Sequence, residues 1–106
     1  MQNEEVNHMA KLEPGQLISI PCKVFPGAFN HEAMVIIDTM GGEVSGFIKR
    51  DDFFRIEDDR GFVKAHVVDV TTETITVLLK GSFFTTTGLA EFSPEWAKSN
   101  VEVVAA

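Results

Sequence analysis

Between residues 14 and 81, apolar and polar positions alternate in short runs closed by glycine and proline. In residues 17–25, Ile18, Ile20, Cys22 and Val24 share one face, and Ser19 and Lys23 point the other way. This period of two is the signature of a half-buried strand. Pro21 interrupts the run and cannot donate to a ladder, which predicts an edge position or a bulge there. Pro26 and Gly27 then turn the chain. Residues 33–39, with the apolar run MVII, predict a second strand. The sequence DTMGG over residues 38–42 predicts a tight connection, its two glycines free to take positive φ. Residues 43–48 return as a third strand, where Gly46 marks either close backbone approach or a bulge.

The segment KRDDFFRI, residues 49–56, predicts one or two helical turns, with Phe53, Phe54 and Ile56 sealing a barrel end. After a charged turn at 57–61, residues 62–70 form a fourth strand, with Val63, Ala65 and Val67 on one face and Lys64, His66 and Val68 on the other. Residues 73–80 form a fifth, with Ile75, Val77 and Leu79 on one face, and Thr71-Thr72 predicts the hairpin between them. SFFTTT, residues 82–87, has the β propensity for a sixth strand. Ser93-Pro94-Glu95 opens a short helix, serine as cap and proline at the first helical position, which presses Trp96 onto the body. Residues 101–104 are either a last strand or a frayed end. The fold class expected is mainly all-β, a small five- to six-stranded barrel of the OB or SH3-like kind with one or two short helices. Residues 1–13 read as a flexible N-terminal tail or a single helical turn, and residues 14–106 as one β-barrel domain.

A chain of 106 residues suits one domain, and an apolar share of 44% excludes wholesale disorder. Cys22 is the single cysteine, so no intrachain disulfide forms, in keeping with a reducing compartment. No apolar run approaches the roughly 20 residues that span a bilayer, and the acidic, polar start MQNEEVNHMAKLEPG lacks the features of a signal peptide. These features predict a cytoplasmic protein with no membrane contact. Nine Lys and Arg stand against sixteen Asp and Glu, a net charge of −7. Such a field keeps a small protein soluble and disfavours a polyanion, so any nucleic-acid surface has to be a local one.

Four segments carry a family resemblance. FPGAF at 25–29 resembles an aromatic-Gly-Ala-Phe turn after a first strand, and SGFIKRDD at 45–52 a Gly-Leu-Val-His-Ile-Ser run leaving a third. GFVKAHVVDV at 61–70 is similar to Gly-x-x-Val-Lys-Ala-x-Val, and ITVLLK at 75–80 to Ile-x-Leu-Ser-Leu-Lys. In order and rough spacing, residues 15–80 resemble an S1-type RNA-binding domain, a five-stranded OB barrel. The sequence departs from that pattern at Lys49, where the family has histidine, at Asp51, where it has serine, in extra residues at 30–33, and in residues 82–106, which have no S1 counterpart. The resemblance implies single-strand binding by base stacking on Phe25, Phe29 and Phe47 with Lys23, Lys49 and Lys64 on the phosphates.

His8, His31 and His66 are isolated, and no HExxH, CxxC or GxSxG occurs. Asp51-Asp52 and Asp58-Asp59 lack calcium-loop spacing, and Cys22 reads as a buried structural thiol. No catalytic residue, metal site or cofactor is expected. The reading that follows is a non-enzymatic interaction module that binds a protein partner or itself. Phe83, Phe84, Thr85 and Thr86 are its interface candidates, because the uncharged stretch 81–90 lacks the lysines and prolines that guard natural edge strands. This arrangement predicts a homodimer. The alternative reading is an S1-like binder of single-stranded RNA.

Overall fold

The computed structural model describes residues 12–26, 31–80, 82–83 and 88–105. The strands are β1 (Leu17–Pro26), β2 (Glu32–Thr39), β3 (Gly42–Lys49), β4 (Phe53–Glu57), β5 (Arg60–Val70), β6 (Ile75–Leu79), β7 (Ser82–Phe83), β8 (Leu89–Phe92) and β9 (Glu102–Ala105). A 3-10 turn at Arg50–Asp52 and the helix α1 (Pro94–Asn100) complete the described residues. Every pairing is antiparallel. The hydrogen-bonded path runs β7-β3-β2-β1-β5-β6-β8, with β4 added on β5 and β9 on β1. Only Lys80 and Gly81 separate β6 from β7, so the chain itself joins two distant places on this path. The result is a curled antiparallel half-barrel. The Met40 N–H donates to the Glu91 carbonyl at 2.8 Å and ties the tip of the β2–β3 hairpin to β8.

The core follows the alternation. Ile18, Ile20, Val35, Ile37, Ile48, Val63 and Val77 are fully buried, each contributing about 1.5–3 kcal/mol of transfer free energy. Their strand neighbours Lys23, Asp38, Lys49 and Leu78 are exposed. Thr39 and Gly42 pair across a two-residue turn, with Gly42 at φ 116°. The Thr39 hydroxyl accepts from the Gly41 N–H and donates to the Gly42 carbonyl at 2.6 Å. At the β5–β6 turn the Thr71 hydroxyl accepts from the N–H groups of Glu73 and Thr74, the ST-turn arrangement that shapes such corners. Ser93 caps α1 by accepting from the Trp96 N–H at 3.1 Å, and Pro94 occupies the first turn as expected.

Pro21 sits where β1 changes partner. On one side β1 pairs with β5 throughout Leu17–Lys23. On the other, Leu17–Ser19 pair with β9 and Lys23–Pro26 with β2, which leaves residues 20–22 without a partner there. The expected edge position is therefore a local gap within an otherwise central strand. Gly46 is buried and opposite both Val35 and Phe83, in an unbroken β2–β3 register, so it marks no bulge against β2.

The expectation of helical turns over 49–56 is corrected. Only Arg50–Asp52 turn, and Phe53–Glu57 is a strand on β5. Phe53, Phe54 and Ile56 have the shape for a pleated surface, and the far edge of β5 beyond the end of β6 offered a ladder, so pairing overrode local propensity. Phe53 is buried in the core, whereas Phe54 and Ile56 are half-buried. Of residues 101–104, Val101 ends the helix and 102–104 lie in β9, and β8, on which the sequence pattern was silent, extends the sheet beyond β6. Ser82–Phe83 pair with β3; the rest of the proposed sixth strand lies outside the described residues, as do Phe84, Thr85, Thr86, Phe29, His8 and nearly all of the N-terminal tail. Among the described residues no helix is long and apolar enough to cross a membrane.

Candidate nucleic-acid interface

The outer face of β1, β2 and β3 gathers most of the residues that the sequence singled out. The β1–β2 register sets Phe25 opposite Met34, and the β2–β3 register sets Met34 opposite Phe47. Directly opposed side chains have Cβ atoms about 4.5–5.5 Å apart, so the three form one continuous apolar row. Phe25 is 38% exposed, high for a phenylalanine, and Met34 and Phe47 are half-buried. The next row along is Arg60, Lys23, Ile36 and Ser45 across β5, β1, β2 and β3. On the other flank Lys49 stands opposite Glu32. Lys23, Lys49 and Arg60 are all exposed. Among the described residues, Lys23 and Lys49 make no ion pair, hydrogen bond or ring contact.

Lys64 does not join this group. It lies on β5 opposite Ser19, its ammonium donates to the Asp51 carbonyl at 3.1 Å, and it sits 5.5 Å from the Phe54 ring centroid. A cation already held by a carbonyl and a ring face is poorly placed to follow a phosphate chain. Arg60, which sequence reasoning passed over as part of a charged turn, takes its place: β5 begins two residues earlier than the alternation suggested and carries Arg60 into register with Lys23. The position of Phe29 lies outside the described residues.

Beside the Lys23 row, a cleft of about 430 Å³ opens at the gap in the β1 ladder. Its walls include Pro21 and Lys23 of β1, Asp38 and Glu43 of the β2–β3 hairpin, Arg60 of β5 and Trp96 of α1. Trp96 stacks on the buried Phe92, with centroids 4.9 Å apart and planes at 15°. Cys22 contributes to the wall but is buried, and its Sγ–H donates weakly to the Gly61 carbonyl at 3.5 Å. Burial pushes its thiol up to about 12, the Arg60 charge only partly opposing this. A thiol held neutral is a poor nucleophile. No three His, Cys, Asp or Glu side chains group as metal ligands among the described residues.

Comparison with family models, with curated proteins and with solved structures found no match to this chain.

Proposed function

We propose that the protein is a non-enzymatic binding module that takes single-stranded RNA across the outer face of β1, β2 and β3. The observation that carries this reading is the row Phe25, Met34 and Phe47, set between Lys23 with Arg60 on one flank and Lys49 on the other. Bases stack on such a platform at about 1–3 kcal/mol each while cations follow the backbone. The strand arrangement supports the resemblance to the S1 type. Counting β6 and β7 as one interrupted strand, β5 and β3 flank it, while β1 pairs with both β2 and β5, an OB-like arrangement. The net charge of −7 weakens long-range attraction, but across β1, β2 and β3 the two rows that hold Phe25 and Lys23 contain no acidic side chain; Glu57 of β4 stands beyond Arg60 at the end of the Lys23 row. A titration of fluorescently labelled RNA homopolymers at low salt tests the proposal. Binding that weakens with added salt is expected, and absence of binding to every homopolymer at low ionic strength overturns it.

A second reading, self-association, rests on a different observation. Leu78 and Leu89 stand directly opposite each other on β6 and β8, exposed at 44% and 42%. The strands they occupy flank the uncharged SFFTTT segment with Phe83, Phe84, Thr85 and Thr86, and β8 ends the hydrogen-bonded path. Two copies meeting there would cover the Leu78–Leu89 pair and the end of the path at β8 around a two-fold axis. Light scattering after size exclusion should give a dimer that Leu89→Lys or Phe84→Lys splits; a monomer at tens of micromolar refutes it.

A further inference from the structure

We infer that the cleft under α1 is a nucleotide pocket selective for guanine, an inference that rests on the RNA-binding reading of the adjoining face. Three observations on its walls converge. First, Asp38 and Glu43 are directly opposite each other in the β2–β3 ladder, both exposed and both lining the cleft. Like charges in that register repel, and neither carboxylate is held by a cation among the described residues. A ligand offering two adjacent N–H donors would relieve this repulsion. Second, Trp96 lines the same space, with Phe92 stacked on its ring as support. A planar π-ligand is the natural occupant beside it. Third, Lys23 and Arg60, neighbours in the β1–β5 register, add positive charge to the same lining, with Asp59 next to Arg60 in the chain.

No single simple ion answers all three. A free cation suits the carboxylates and Trp96 but meets Lys23 and Arg60. A bare anion suits the cations but meets Asp38 and Glu43. A nucleotide carries both a phosphate and a flat base. Among the bases, guanine presents N1–H and the N2 amino group side by side, the pair of donors that one carboxylate accepts in parallel. The uracil N3–H is flanked by two carbonyls, and in adenine and cytosine the amino group lies next to a ring acceptor, so each turns a lone pair toward the carboxylates. The volume of about 430 Å³ falls within the range of small-ligand clefts, about 300–1,000 Å³. The cleft shares Lys23 and Ile36 with the row adjoining Phe25, Met34 and Phe47, so a strand lying on that face has a place for one base to turn in.

Trp96 is the single tryptophan of the chain, so its fluorescence reports on this cleft alone. Absorbance-corrected titrations with GMP, AMP, CMP and UMP up to millimolar concentration are expected to quench it saturably. GMP should bind about tenfold more tightly than the others, the discrimination one good bidentate contact provides. The double variant Asp38→Asn with Glu43→Gln alters two exposed side chains and should keep or raise the melting temperature while abolishing the preference. Equal responses to the four nucleotides, no quenching by GMP, a preference that survives the double variant, or stronger quenching by arginine methyl ester would each overturn the inference. Labelled RNA separates the two proposals. RNA binding without GMP quenching leaves the face and removes the pocket. GMP quenching without RNA binding leaves the pocket and removes the face.

Discussion

The β4–β5 surface and the β1–β2–β3 face are made of the same residue types, and they use them differently. On β4 and β5 the aromatics and cations answer one another. Arg55 lies opposite Phe62 in register, with its guanidinium 4.0 Å from the ring centroid, and pairs with Glu57 at 3.0 Å. Lys64 approaches Phe54 and the Asp51 carbonyl. On β1, β2 and β3 the register places apolar by apolar in the row Phe25, Met34 and Phe47 and cation by cation in Lys23 and Arg60, with Lys49 opposite Glu32 at the flank. A phenylalanine opposite an arginine is a finished internal contact. An apolar row beside a pair of cations leaves Phe25 and Lys23 exposed side by side on one surface. The difference is one of register, which composition does not carry.

The largest effect should come from a change that removes both surfaces at once. Val77 is fully buried in the core beneath them. Val77→Asp places an unpaired charge there, and the cost exceeds what a domain of this size can lose. Circular dichroism should show loss of the β spectrum; an unchanged melting temperature would mean that the inward face is misassigned. Next, Phe25→Ala should weaken RNA binding by about 1–3 kcal/mol, the contribution of one stacked base, and leave the melting temperature almost unchanged because the ring is 38% exposed. Equal loss of stability and binding would make Phe25 a packing residue and erase the contrast.

A smaller effect is expected at Lys23 and Lys49. Their alanine variants should each lower the slope of log affinity against log salt by about 1, the signature of one lost phosphate contact. Lys64→Ala should leave that slope unchanged. Arg55→Ala should do the reverse of Phe25→Ala, costing about 0.5–1 kcal/mol of stability, an exposed cation–π contact, with no change in RNA affinity. The smallest effect concerns Cys22. Its pKa rises from the ordinary 9.0 to about 12 in the fold. Folding therefore favours the protonated thiol, its stabilising contribution is whole below pH 9, and it is lost as pH rises from 9 toward 12. Cys22→Ala should flatten that part of the stability profile, read from denaturant midpoints at each pH.

The alternation in β1, β2, β3, β5 and β6 was legible because each strand has one face on the core, and period two is then written directly into residue choice. The segment Phe53–Glu57 was less so. Its charged entry, KRDD, has no strand character, and its ladder partner lies on a strand that follows it in sequence. The candidate face was half legible. Phe25, Phe47, Lys23 and Lys49 were singled out one by one, but their adjacency through Met34 is a fact of register. Lys64 read as a free cation because nothing in the sequence places it beside Phe54. The cleft was illegible: it needs Trp96 of α1, the β2–β3 tip and the gap at Pro21 in one place.

The divided pairing of β1 bears on the order in which the molecule assembles. One half of its free side is taken by β2, the next strand in the chain, and the other by β9, the most distant in sequence. The hairpin of β1 with β2 closes a short loop and forms early, whereas docking of β9 closes the longest loop in the fold and comes late. Until β9 arrives, Leu17, Ile18 and Ser19 present an open edge to any other extended chain. That edge stays exposed until β9 has been made and has docked, so Pro21, which cannot donate to a ladder, stands where an intruding strand would otherwise continue along β1.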